Sequence, residues 1–290
     1  MKKTVLMTAL CCAATGVATS ASAELTYGKA FVKNFNFDGD GGNADLTAFG
    51  GAVEFRTNGL TFSANLLNLD ADGEDAMLGS IGAGFEMTNG VTLGVDYTHI
   101  SIADGNDTGI ISGYAQYTFG AYTLGLSAGD SSDLGDTLYS VYGAWDVSPT
   151  GTVGVDILRV EGETLVAAYA DYDLEQYSLR ADFVTEDGTH FFAVSGNYDL
   201  GNQISLIGSL GLAGGDDEDL TAVSIGAQYE LVAGLNAELS VGRIDVADFG
   251  NSNVLSIGMN YEMGRKTAKR RTLAEIVNTT TGAAAGLGSF

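Results

Sequence analysis

The chain has 290 residues, with 41 glycines, a single proline and a formal net charge of −24. A chain this acidic does not bind a nucleic-acid backbone, which takes clustered lysines and arginines, but it suits cations or a Ca²⁺-rich surface. No apolar run reaches 18 residues, which excludes helical membrane spans, and abundant glycine with scarce proline favours many paired strands over Pro-rich linkers.

The first 23 residues read as a secretory signal. Lys2 and Lys3 precede an apolar stretch, and Ala21-Ser22-Ala23 forms an A-x-A cleavage site before Glu24. Both cysteines, Cys11 and Cys12, fall inside it, and Leu10 is too large for lipoprotein processing at Cys11. The mature chain therefore has no cysteine, and something other than disulfides must hold it.

From Leu25 to Met263 the sequence repeats strand patterns, giving sixteen candidates: 25–37, 46–56, 60–69, 77–87, 91–100, 110–119, 122–128, 138–147, 152–159, 164–174, 177–185, 191–200, 203–212, 220–231, 235–243 and 253–263. The connections after even-numbered candidates are tight, as in TNG at 57–59 and 88–90, GA at 120–121 and VAG at 232–234. Those after odd-numbered candidates are expected to be longer and acidic, as in DGDGGNAD at 38–45, DADGEDA at 70–76 and SIADGNDTG at 101–109.

The stretch VTLGVDYTHI, 91–100, shows what each strand must decide. Val91, Leu93, Val95 and Tyr97 share one parity; Thr92, Gly94, Asp96 and Thr98 share the other. A soluble sandwich would turn the apolar face inward, a membrane barrel outward to lipid. Three features favour the barrel. The longer connections are expected at one end. An aromatic row stands just before each tight turn on the apolar parity: Phe55, Phe85, Phe119, Trp145, Tyr172, Tyr198, Tyr229 and Tyr261. Aromatic rings at one end of eight strands read as a girdle at the lipid headgroup level. The opposite parity carries Gly, Ser, Thr and ionisable residues, giving an expected pore lining of Glu54, Glu86, Asp96, Asp146, Asp156, Asp171, Arg180, Asp182, Asp199, Glu230, Glu238 and Glu262, with Gln228 and Asn260. Strand 1 departs from the pattern, because Lys29 and Lys33 share parity with Tyr27 and Phe31, which predicts a bulge or register change. The fold expected is all-β: a transmembrane antiparallel up-and-down β-barrel of about 16 strands over 24–263, wide enough for an aqueous lumen, with a basic C-terminal tail over 264–290.

With its export signal, cysteine-free barrel, girdle and strand count, the chain resembles the Gram-negative outer-membrane general porins, especially the alphaproteobacterial type. The most specific local match is LSIGMNYEM, 255–263, an alternating final strand, although Met263 stands where the family ends on Phe and the chain continues. The resemblance implies passive diffusion of small hydrophilic solutes, often through a homotrimer. It also implies a long third outward loop folded into the lumen; the segment 101–109 is too short for one.

Sites of chemistry are sparse. His99, Ser101 and His190 sit near the expected outer rim, where isolated histidines read as bystanders rather than catalytic groups. The acidic loops at 38–45 and 70–75 do not match the 12-residue Ca²⁺ pattern, and loose bridging of divalent cations to lipopolysaccharide suits them better. GSIGAG, 79–84, and Gly208–Gly211 are strand glycines, since no helix follows to cradle a phosphate. No catalytic residue, metal site or cofactor is expected. The leading function is a passive, cation-preferring channel in the outer membrane; the alternative is a non-conducting surface barrel serving as adhesin or structural anchor.

Charge divides the chain. Residues 24–263 hold 36 acidic and six basic side chains, whereas 264–290 hold Arg265, Lys266, Lys269, Arg270 and Arg271 against Glu275. The tail follows the last strand at the short-turn, periplasmic end. There Glu54, Glu86, Asp146, Asp171, Asp199, Glu230 and Glu262 place acids beside the girdle, and Thr118 fills the remaining position. The bases are expected to fold back over this mouth as a salt-labile cap. In the competing reading, 272–277 (TLAEIV) forms a short helix for a periplasmic partner.

Overall fold

The computed structural model of the protein describes residues 24–39, 42–71, 74–102, 106–131, 137–160, 162–215, 219–247, 250–264, 266, 269–272 and 275–276. The expected signal, 1–23, lies outside the described residues, as do Arg265 and 277–290. The strands are β1 (Glu24–Gly39), β2 (Gly42–Thr57), β3 (Leu60–Ala71), β4 (Glu74–Glu86), β5 (Val91–Ile102), β6 (Asn106–Phe119), β7 (Tyr122–Ser131), β8 (Thr137–Ser148), β9 (Gly151–Val160), β10 (Glu163–Asp173), β11 (Tyr177–Glu186), β12 (Thr189–Gly201), β13 (Ile204–Gly214), β14 (Leu220–Val232), β15 (Leu235–Val246) and β16 (Gly250–Gly264). Each pairs antiparallel with its neighbours in sequence, and β16 returns to pair with β1, so the sheet closes and no edge remains.

Closure follows from the alternation. With period 2, one parity of every strand must share one environment, and a sixteen-membered ring gives all strands the same outside. On β5, Val95 is 58% exposed while its neighbour Asp96 is 7% exposed. On β16, Leu255, Ile257 and Met259 are exposed outside, and Val254 and Ser256 are buried inside. A protein that leaves this many large apolar side chains uncovered, and buries Glu54, Asp96, Asp156 and Asp182, is built for an apolar solvent. At the tight ends, Asn58 and Gly59 both take positive φ (49° and 81°), the geometry of a two-residue hairpin turn.

One expectation is corrected and another is met. The acidic connections at the other end are mostly strand. The segment 38–45 narrows to residues 40–41 between β1 and β2, with Asp38 opposite Asn43 and Asn36 Nδ2 donating to Asp45 Oδ1 at 2.8 Å. The segment 70–76 narrows to 72–73, with Asp70 opposite Asp75, and 101–109 narrows to 103–105. An antiparallel ladder propagates while rungs can pair, and acids that stand clear in water need no desolvation. Strong asymmetry in connection length is therefore not a feature of this barrel.

The expectation met is the irregularity of β1. A bulge between Leu25 and Tyr27 shifts the register, and Tyr27, Lys29, Phe31 and Lys33 all face inward. Lys33 Nζ lies 2.9 Å from Glu238 Oε2, and Lys29 is within electrostatic reach of Glu262 and Glu238. The lysines overrule the aromatic rings here, because carboxylate partners exist only on the inner face.

The inner face is not uniformly polar. Toward the end away from the tight turns, Phe31, Phe35, Ala48, Leu67, Leu78 and Val254 form one apolar cluster across β16 and β1 to β4. Ile110, Leu138 and Leu158 form another across β6, β8 and β9.

Candidate functional site

The basic tail enters the barrel. Gly264 makes the turn: its φ is +70°, and a Cβ there would lie 2.0 Å from the Thr26 carbonyl oxygen. Only glycine combines that conformation with that approach. Beyond it, the described tail residues contact side chains on both walls of the lumen.

Lys269 pairs with Asp146 of β8 and donates to Thr152 Oγ1 at 3.2 Å, while its carbonyl oxygen accepts from the Tyr169 hydroxyl at 2.9 Å. Arg270 pairs with Asp96 on β5, and its guanidinium lies 4.8 Å from the ring centre of Tyr114. Arg271 Nη1 donates to Asp182 Oδ1 on β11 at 2.5 Å and stacks 3.9 Å above the ring of Tyr169. Strands β5 and β11 are six places apart in a ring of sixteen, so adjacent tail residues reach well-separated arcs of the wall.

The tail also folds on itself. Thr272 Oγ1 accepts from the Glu275 N–H at 3.3 Å, and Glu275 Oε2 accepts from the Thr272 N–H at 2.9 Å, a reciprocal capping box on a single helical turn. Lys266 pairs with Glu275. Burial opposes ionisation of Glu275, but Lys266, the Thr272 N–H and Arg271 outweigh it and hold the carboxyl below its ordinary range. Ile276 is buried against Ala167, Val184, Phe191 and Ala193 on β10 to β12.

The tail therefore differs from both sequence expectations. Of the acids beside the girdle, Asp146 takes Lys269, but the arginines pass the mouth and pair with Asp96 and Asp182. The turn at 275–276 packs inside the lumen rather than projecting outward.

The other expected lining residues are placed as follows. Glu54 is buried on the inner face and accepts from Thr26 Oγ1 at 2.9 Å. Glu86 pairs with Arg56 at the short-turn rim. Asp156 is buried within electrostatic reach of Arg270 and Arg271. Arg180 bridges Asp171 (3.7 Å) and Asp182 (2.9 Å). Glu238 meets Lys33 and Asn260. Asp199 and Glu230 accept from the backbone N–H groups of Gly201 and Gly234 in their own turns. Glu262 lines a cavity of about 520 Å³ between the tail and the β1–β3 and β9–β16 wall.

Phe85, Phe119, Trp145, Tyr172, Tyr198, Tyr229 and Tyr261 are exposed on the outside, and Phe55 is half-buried. Tyr117, Phe119, Tyr122 and Trp145 stack in a continuous row with centroids 5.5–6.0 Å apart. His99 stacks on Tyr97 outside the barrel, and His190 lies on β12, so the two histidines do not converge.

Sequence reasoning passed over three lumenal tyrosines: Tyr114, Tyr142 and Tyr169. Each stands on the polar parity of an even-numbered strand, directly opposite a glycine: Gly94, Gly125 and Gly154. A Cβ on those glycines would fall 2.2–2.3 Å from the tyrosine ring, so each ring lies flat over bare backbone. A tyrosine on the lumen parity facing a cross-strand glycine is the signal that marks them.

The architecture matches known outer-membrane channels in fold. A mutant of the Rh. blastica porin superposes with a TM-score of 0.52 at 15% identity, covering 83% of this chain and all of that one. The outer membrane protein OpdK from Pseudomonas aeruginosa superposes with a TM-score of 0.52 at 12% identity, covering 83% of this chain and 98% of that one. No family model matches the sequence, and no curated protein is similar to it in sequence. The chain thus has the porin-type closed barrel fold, and the comparison carries fold alone.

Proposed function

We propose that the protein is an outer-membrane channel that passes small hydrophilic solutes passively and prefers cations. The observation that carries this reading is the inverted barrel: apolar side chains with an aromatic row outside, ionisable side chains around a cavity inside. Lipid is the solvent that accepts the first surface, and water accepts the second. The cation preference rests on the carboxylates of the lining. The lumen also holds Lys29, Lys33, Arg56 and Arg180, more bases than Arg180 alone, yet the carboxylates still outnumber them even with the tail included. Fixed charge of one sign along a water-filled path concentrates the counter-ion. The expected setting is a homotrimer in lipopolysaccharide-bearing lipid, with divalent cations bridging surface acids.

A specific observation favours the second reading, a non-conducting barrel acting as adhesin or anchor: the tail crosses the lumen, and apolar clusters occupy part of the inner face. Planar-bilayer recording of the purified full chain separates the two. Stepwise single-channel currents are expected; inserted, folded protein that stays silent would favour the anchor.

A further inference from the structure

We infer that the lumen contains a binding site for guanidinium groups, formed by Asp96, Asp156 and Asp182 with the rings of Tyr114, Tyr142 and Tyr169, and that the tail is its resident, displaceable ligand. The acids alone would not make a site. The second observation is what sits on them: two guanidinium groups, each paired to a carboxylate and each over an aromatic face. Tyr142 stands between the two occupied tyrosines, on β8 between β6 and β10, and is 2% exposed. The glycines opposite all three rings let them lie flat against the wall, and the faces of Tyr114 and Tyr169 meet the arginines.

This chemistry selects guanidinium over ammonium. A planar cation stacks on a ring and presents a donor fork to a carboxylate in the same pose, whereas a lysine head group is a hydrated point charge. The occupant is not held to capacity. Among the described residues, Arg270 Nε and Arg271 Nη2 are buried and meet no hydrogen-bond partner. Asp156 lies near both guanidinium groups, yet the ion pairs go to Asp96 and Asp182. A seat with unmet donors on the ligand and a spare carboxylate on the wall is one that a better-fitting guanidinium solute can take. The ligand class is therefore small basic molecules and peptides bearing arginine-type groups.

The inference builds on the channel reading only for the lumen being reachable from solution, and its test does not require conduction. The full-length Arg270→Ala/Arg271→Ala chain, folded in detergent as shown by heat-modifiable gel mobility, is titrated with dye-labelled acetyl-Lys-Arg-Arg-Thr-amide and read by fluorescence anisotropy. This peptide carries the sequence of residues 269–272. Binding is expected to be at least about ten-fold tighter than to the wild-type chain, whose site is occupied. It is also expected to be at least about ten-fold tighter than that of the Lys-Lys-Lys-Thr peptide, as loss of charged hydrogen bonds and stacking predicts. Adding Asp96→Asn and Asp182→Asn is expected to remove it. If the alanine chain does not fold, Arg270→Lys/Arg271→Lys keeps both charges and is expected to bind the arginine peptide more tightly than wild type does. Equal affinity for the two peptides, equal affinity for wild-type and emptied chains, or indifference to the aspartate changes would overturn the site. A bilayer that stays silent while the peptide still binds would sink the channel reading and leave this one standing.

Discussion

Asp182 sits between two arginines, Arg180 of its own strand and Arg271 of the tail, and its side chain is 2% exposed. Pairs this deep behave differently from surface pairs. An exposed ion pair is worth about 0–1 kcal/mol, whereas removing one partner of a buried pair costs about 3–5 kcal/mol because a charge is left without compensation. Asp182→Asn is therefore expected to unseat the tail while the sheet, held by backbone ladders, stays closed. Trypsin reads this directly, since Lys269, Arg270 and Arg271 are its cleavage sites: the variant should lose its tail at least about a hundred-fold faster, as the cost stated implies. Equal cleavage rates would show that Asp182 does not hold the tail. Asp96→Asn, which from sequence alone would change only the channel's charge, is expected to loosen Arg270 as well.

At the scale of elements, the two-faced strands were legible because alternation is local: β5 and β16 turn outward the parity that their residues indicate. The outer ends were not legible, because Asp, Asn and Gly lower strand propensity, while cross-strand rungs such as Asn36 with Asp45 depend on the partner. In β1 the irregularity was legible from the clash of lysine and aromatic parities, but its facing was not, since Lys33 points inward for Glu238, some two hundred residues away in sequence. The capping box of Thr272 and Glu275 was readable from its spacing; its burial in the lumen was not, because Ile276 chooses its neighbours on β10 to β12. Face assignment has a clean test. Trp145→Lys puts charge on the lipid side at the headgroup level and is expected to cost up to about 1 kcal/mol there, whereas Val95→Lys, on the outward parity away from the rim, is expected to cost about 2–4 kcal/mol. Folded yield into lipid vesicles should fall in that order, and equal yields would reverse the face assignment. The tail gives a further prediction. Its arginine pairs are buried, so 1 M KCl is expected to leave hydrogen exchange of 269–276 protected, in contrast to a cap of exposed pairs. Acid acts differently. Glu275 is held ionised below its ordinary range, so its contribution is present above the free carboxylate value of about 4.3 and is lost as pH falls through the lowered one. The share of the protection owed to Glu275 should hold above that free value and fall below it.

At the scale of the whole molecule, a barrel with an apolar exterior and an ionisable interior carries its own occluding segment, joined to the last strand at Gly264. The tail brings Lys266, Lys269, Arg270 and Arg271 into a lumen whose ionisable lining is mostly carboxylate, so it both narrows the path and offsets its charge. Its release is expected to raise conductance and cation preference together, most at low salt, where screening is weakest. The most direct test is the reversal potential and single-channel conductance of the full chain and of Arg270→Ala/Arg271→Ala, recorded in planar bilayers across a KCl gradient. The account predicts cation-selective currents from both, larger and more cation-selective in the variant. Anion preference, or identical currents from the two folded chains, would contradict it.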